Sequence, residues 1–217
     1  MPNLDLNILQ IMHGDTPVSK IMKGDTQIWP EFTLLSYISN TDTAFIDTGF
    51  KANNNTVIEF QYLATATNYY AFGARTARYD KTFLYYVPNT SSIRWSYGTS
   101  EVTPANTGVS NNTVVTTANS SKNVLTSKYG STTRTATATA NTFQCDYNLY
   151  LFNCNLAGST TSLGLKGRVY YCKIYDNGTL IRDYIPVLQN STGLYGLLDK
   201  VNNKFYTSSN GDSFSGG

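Results

Sequence analysis

The sequence predicts an all-β chain, a sandwich of two antiparallel sheets behind a short N-terminal arm of β-hairpins. Three observations carry that expectation. Charged residues make up 14% of the 217 residues, against roughly 25% in an average globular chain. Thr, Ser and Asn take their place, with 17 Tyr and 10 Phe, and such a composition favours extended chain over long helices. Second, no long segment carries a helical repeat; short apolar or alternating runs follow one another with turn signals between them. Third, the chain opens with a tandem repeat whose two copies each read as a miniature hairpin.

The first copy is Ile11-Met12-His13-Gly14-Asp15-Thr16-Pro17-Val18-Ser19-Lys20. The second is Ile21-Met22-Lys23-Gly24-Asp25-Thr26-Gln27-Ile28-Trp29-Pro30. Gly-Asp between short apolar runs is a two-residue turn signal, because Gly accepts the positive φ of the first turn position. An isolated two-stranded ribbon is marginal in water. Something must therefore cover Ile11, Met12, Val18, Ile21, Met22, Ile28 and Trp29, and exposed apolar patches of this kind mark attachment surfaces. Residues 1–30 are read as an assembly arm that ends at Pro30, and residues 31–217 as the sandwich.

The sandwich strands follow in order. Phe32 to Ile38 is apolar and aromatic, and Ala44 to Phe50 is a strand that reaches Gly49. Asn53-Asn54-Asn55 turns the chain into Thr56-Val57-Ile58-Glu59-Phe60-Gln61-Tyr62, where Ile58, Phe60 and Tyr62 share the buried face. Tyr69 to Gly73, Phe83 to Tyr86 and Ser92 to Tyr97 are further strands. The Thr/Ser/Asn-rich stretch from Ser100 to Thr142 is assigned to strands and long loops, because Arg134 to Ala140 alternates strictly. Asn148 to Phe152 has the look of a buried strand. Arg168 to Tyr175 and Thr179 to Tyr184 flank Asp176-Asn177-Gly178, a strong hairpin turn, and the second strand is expected to end at Ile185-Pro186-Val187. Gly193 to Asp199 pairs with Lys204 to Tyr206, and a polar Gly/Ser tail closes the chain.

Composition excludes several classes of function. The net charge is +2 and the basic residues are scattered, so no phosphate-binding footprint exists for nucleic acid. No run of about 18 apolar residues offers a membrane span, and the first residues lack the basic and apolar regions of a secretory signal. Cys145, Cys154 and Cys172 lack metal-type spacing. They are read as buried free thiols made in a reducing cytoplasm, with a Cys154–Cys172 disulfide as the alternative. His13 is the sole histidine, and it occupies the slot that Lys23 fills in the second copy, which is a solvent-facing role and not that of a general base. Asp176-Asn177-Gly178 is explained by its turn better than by calcium. No cofactor and no metal are expected.

Several runs together resemble a known family. They are Ala44-Phe45-Ile46-Asp47-Thr48-Gly49-Phe50, Phe72-Gly73-Ala74-Arg75, Leu149-Tyr150-Leu151-Phe152 and Gly167-Arg168-Val169-Tyr170. The most specific is Lys173-Ile174-Tyr175-Asp176-Asn177-Gly178-Thr179-Leu180-Ile181-Arg182-Asp183-Tyr184-Ile185-Pro186, followed by Gly193-Leu194-Tyr195 and Asn203-Lys204-Phe205-Tyr206. This frame, over roughly residues 32–208, resembles the concanavalin A-like lectin/glucanase superfamily in its laminin-G-like form. The resemblance implies a jelly roll of two antiparallel sheets. With the Gly-Asp-Thr hairpins it is also similar to phage tail and other virion structural proteins. Glucanases of the superfamily carry two or three clustered carboxylates on one strand; here Glu59 stands alone on its strand, so no enzyme is expected. Sugar binding would fall to a patch drawn from Tyr69-Tyr70, Arg75, Arg78-Tyr79, Tyr85-Tyr86 and Arg94-Trp95-Ser96-Tyr97, with Tyr70, Arg75, Arg78, Tyr86, Trp95 and Tyr97 the candidates. Of Tyr69/Tyr70 and Tyr85/Tyr86, one member of each pair should point inward.

The function expected from these readings is that of a non-enzymatic virion structural protein, a fibre, tail-associated or capsid decoration protein. Its arm docks on the particle or on sister copies in a homo-oligomer, and its sandwich faces host-surface carbohydrate. The expected location is the virion, with synthesis in the host bacterial cytoplasm. The alternative is a carbohydrate-binding module of a bacterial surface protein.

Overall fold

The computed structural model describes residues 11–13, 16–18, 21–23, 25–29, 31–41, 43–90, 92–104 and 112–217. Strands Ile11–His13 and Thr16–Val18 pair antiparallel, from Ile11 opposite Val18 to His13 opposite Thr16. Ile21–Lys23 pairs with Thr26–Trp29 in the same way, with a bulge after Ile21. Each pair forms its own two-stranded sheet. Pro30, the Gly14-Asp15 turn and the side chains of Ile11, Met12, His13, Val18, Met22, Ile28 and Trp29 lie outside the described residues; Ile21 is half-buried and Lys23 exposed.

The sandwich is two antiparallel sheets, as expected. The larger runs Thr132–Thr137, Val124–Tyr129, Thr113–Asn119, Thr56–Ala64, Gly167–Asp176, Thr179–Gln189, Leu194–Asp199, Lys204–Tyr206. Phe32–Leu34, Ile38–Asn40 and Ser215–Gly216 attach to it. The smaller runs Ser100–Val102, Ser92–Gly98, Thr82–Asn89, Tyr69–Arg75, Tyr150–Leu151, Ile46–Asp47, and Asn155–Leu156 joins Tyr69–Arg75 in parallel. The Thr-rich stretch thus supplies three strands of the larger sheet. The regular helix present among the described residues is one 3-10 turn, Ser120–Lys122.

Parity fixes the core. Thr56–Ala64 alternates strictly, with Ile58, Phe60, Tyr62 and Ala64 buried and Val57, Glu59, Gln61 and Leu63 on the outer face. The inner face of the smaller sheet is aromatic: Phe72 stacks on Tyr85 at 5.5 Å and on Phe83 at 6.1 Å. A chain of buried hydroxyls joins the sheets. Tyr69 donates to Tyr62 at 3.4 Å, Tyr62 and Tyr85 lie 3.0 Å apart, and Tyr85 reaches Ser127 at 3.4 Å. Ser127 in turn lies 3.0 Å from Thr116. Burial in this layer pushes the Tyr62, Tyr69 and Tyr85 phenols above their usual range.

The Asp176-to-Thr179 hairpin closes as read from the sequence. Asn177 and Gly178 take φ of 48° and 78°, the left-handed pair that this turn requires. All three cysteines are buried and free, so the disulfide alternative is not formed.

One expectation is corrected. Pro186 does not end its strand, which continues to Gln189. On that side of the strand the neighbour changes, with Tyr184 paired to Cys172 and Val187 paired to Leu34. Pro186 sits in the gap, where no ladder donor is needed, and its carbonyl accepts from Leu35 N at 3.1 Å. The polar tail that closes the chain is tied into the sandwich. Phe214 is buried against Phe152, with ring centroids 4.8 Å apart, and Ser215–Gly216 pairs with Ile38–Asn40.

Candidate glycan-binding face

The candidate site is the outer face of the smaller sheet. Tyr69 and Tyr85 point into the core, while Tyr70 and Tyr86 point out and are half-buried, as the parity of each pair predicts. A bulge makes the arrangement. Strict alternation would put Tyr70 on the same face as Phe72. The register instead pairs Phe72 with Tyr85 and Tyr70 with Tyr86, which leaves Ala71 as the extra residue. The bulge therefore re-aims Tyr70 outward. The two outer rings stack with centroids 4.6 Å apart and planes at 27°. The Tyr86 hydroxyl donates to Asn68 Oδ1. Burial raises the Tyr70 phenol, and nearby Arg75 opposes that shift.

Arg94 is the cross-strand partner of Tyr86 on the other side. Its Nη1 lies 3.9 Å from Glu101 Oε1, and Arg78 Nη2 reaches the same oxygen at 3.9 Å. Glu101 Oε2 accepts from Ser96 Oγ at 3.0 Å. Arg78 rides on the loop between Tyr69–Arg75 and Thr82–Asn89, with its guanidinium 4.8 Å from the Tyr79 ring centre. Asp146 fixes that loop. It receives Lys81 Nζ at 2.9 and 3.0 Å and Thr76 Oγ1 at 2.9 Å, and those bonds hold its carboxyl below the usual range.

A strap from Phe152 to Leu165 crosses beside the pair. Phe152 N donates to Ala71 O at 2.9 Å and Tyr70 N to Leu163 O at 2.7 Å. Buried Asn153 ties the strap to itself through Thr161. Gly73 lets it approach, since a Cβ there would lie 2.5 Å from Leu84 Cβ and 2.9 Å from Cys154 Sγ.

Of the six sequence candidates, the fold brings Tyr70, Tyr86, Arg75 and Arg78 together on this face. It does not bring Trp95 and Tyr97, which are corrected here: both are buried, at 0% and 1% exposure. Trp95 pairs with Tyr85 and Tyr97 with Phe83, both inward positions, and Trp95 packs on Tyr97 at 5.1 Å. The same parity turns Arg94 and Ser96 outward. Both belong to the run Arg94-Trp95-Ser96-Tyr97 that the sequence offers for the patch; Glu101 and Asn68 are the residues that sequence reasoning missed. Among the described residues, no group of three His, Cys, Asp or Glu could hold a metal ion. Glu59 lies opposite Lys173 on the outer face of the other sheet.

No family model matches the sequence, and no curated protein does. Solved structures match the fold. A Bacteroides ovatus protein described as carbohydrate-binding aligns over 85% of this chain and 60% of its own, at 10% identity and a TM-score of 0.52. Domains LG4-5 of the mouse laminin α1 chain align over 77% of this chain and 48% of theirs, at 12% identity and 0.48. The CBM40 module of a Ruminococcus gnavus sialidase, bound to α2,3-sialyllactose, aligns over 66% of this chain and 91% of its own, at 17% identity and 0.46. The fold is thus a jelly-roll sandwich of two antiparallel sheets, shared with the Bacteroides ovatus protein.

Proposed function

We propose that the chain is a non-catalytic carbohydrate-binding module that docks a glycan on the outer face of the smaller sheet. The observation that carries this reading is the stacked, half-exposed Tyr70–Tyr86 pair. A pyranose ring presents an apolar C–H face that packs on an aromatic plane, while its hydroxyls need donors and acceptors at the rim. Asn68, Arg94 and Glu101 supply them next to the rings. The likeness to the Bacteroides ovatus protein supports this alternative over the virion role. The test is a glycan array followed by calorimetry on the strongest hit, with Tyr70→Ala and Tyr86→Ala beside the wild type. Each variant should keep the melting temperature within a few degrees and lose about tenfold in affinity, the order of 1.4 kcal/mol. Unchanged affinity in both variants would sink the reading.

A second reading concerns the arm. Among the described residues each hairpin pairs within itself and with neither sheet of the sandwich, which favours attachment of the module to a larger assembly such as a virion. Light scattering on the full chain and on one beginning at Glu31 tests it. A defined oligomer that dissociates on truncation supports an assembly arm, and two monomers refute it.

A further inference from the structure

We propose that this face selects anionic saccharides, with Arg94 and Arg78 able to leave Glu101 for a carboxylate or sulfate of the ligand. The proposal rests on the glycan-binding reading and deepens it. Three guanidinium groups share this face, Arg75 near Tyr70, Arg94 across from Tyr86 and Arg78 meeting Arg94 at Glu101, whose carboxylate is the one these contacts show there among the described residues. Around the adjoining loop, Lys51 and Lys81 balance Asp80 and Asp146, so the excess of positive charge survives.

The geometry leaves the guanidinium donors available. Charge-assisted N–H···O bonds run at about 2.7–2.9 Å, yet both arginines stand 3.9 Å from one and the same Glu101 oxygen. Glu101 is held instead by Ser96 through its other oxygen. It acts as a tether that keeps two long cationic side chains over the face without consuming their forks. The arginines are open to solvent, with side-chain exposures of 61% for Arg78 and 42% for Arg94, against 21% for Glu101. A sugar stacked on Tyr86 has Arg94 one strand away, within reach of an acidic substituent on the ring. The planar fork of Arg suits carboxylate and sulfate oxygens, two at a time.

The test uses three forms of one polymer, dextran, carboxymethyl-dextran and dextran sulfate, matched in length, with affinity read by electrophoretic retardation at fixed salt. The proposal expects the charged forms to bind at least about tenfold tighter than dextran, and the ratio of the two charged forms tells carboxylate from sulfate. Arg94→Gln should bring the charged forms down toward dextran. Arg78→Gln should do so in part. Arg168→Gln removes the same charge on the larger sheet, where its guanidinium lies 4.2 Å from the Tyr37 ring centre, and should change nothing. Glu101→Gln is the sharpest arm: it keeps an acceptor for Ser96 and removes the competing charge, so anionic binding should tighten severalfold, whereas a merely structural Glu101 would give a loss. Equal binding of all three polymers, or equal losses from Arg94→Gln and Arg168→Gln, overturns the selectivity while leaving glycan binding in place. Binding of no polymer and no array glycan overturns both.

Discussion

Replacing Tyr62 by Phe tests whether the hydroxyl chain between the sheets is a held network or an incidental crowding of phenols. Tyr62 is the hub, fully buried, 3.0 Å from the Tyr85 hydroxyl and 3.4 Å from that of Tyr69. Deleting its oxygen removes one well-formed hydrogen bond, worth about 1 kcal/mol net. It also leaves the Tyr69 hydroxyl without the partner to which it donates, and an unsatisfied buried hydroxyl costs roughly 1–3 kcal/mol. The 3.4 Å contact itself lies at the long end of hydrogen bonding and adds little. Relief from burying the Tyr62 oxygen offsets part of the total. The expected loss is about 2 kcal/mol, with no cavity term because the ring stays.

Tyr69→Phe is the internal control. Tyr69 terminates the chain through the weak link alone, so its removal should cost under about 0.5 kcal/mol. Urea unfolding at neutral pH measures both, and an unchanged m-value shows that the denatured state is not responsible. The reasoning fails if Tyr62→Phe lies within about 0.5 kcal/mol of the wild type, or if Tyr69→Phe costs as much as Tyr62→Phe.

Three further outcomes are expected. Stability should fall as pH rises above about 9: burial raises Cys145 to about 12 and also raises Cys154, Cys172, Tyr62 and Tyr69. The unfolded chain then releases protons that the folded chain keeps, so the stability present below the unfolded values is lost as pH climbs from them toward the folded ones; thermal melts from pH 7 to 11 read it. Ellman's reagent should label none of the three cysteines in the native protein and all three in guanidinium, since each is buried and the thiolate is the reactive form. Gly178→Ala should cost about 1–2 kcal/mol in urea unfolding, because Gly178 has φ of 78° and an added Cβ meets nothing within 4 Å, which leaves the left-handed backbone as the sole penalty.

Much of the fold was legible because it rests on local signals. The alternation of Thr56–Ala64, the Asn177-Gly178 turn and the pairing of the two short N-terminal hairpins all act over a few residues. What failed depends on distant chain. Pro186 reads as a terminator until Leu34 and Cys172 are known to meet its strand on either side of it. Phe214, in a tail read only as polar, shows its core role once Phe152 is known to lie beneath it. Of the site, the outward tyrosines were legible from parity within each pair. Trp95 and Tyr97 were misread because an aromatic in a strand carries no mark of which face it takes; the mark lies in its partners, Tyr85 and Phe83.

The bulge at Ala71 shows how one residue links fold to site. Were Tyr69–Arg75 to alternate without interruption, an outward Tyr70 would carry Phe72 outward too. Phe72 would then leave its packing against Phe60, Phe83 and Tyr85. With the extra residue, the same strand keeps Phe72 in the core and delivers Tyr70 to the surface opposite Tyr86. The strap secures the irregularity, because Ala71 O accepts from Phe152 N and Tyr70 N donates to Leu163 O, so backbone groups that a bulge takes out of the ladder still find partners. The strap can lie that close only while residue 73 has no side chain. Gly73, the bulge and the strap therefore form one device, and the orientation of the tyrosine platform depends on all three.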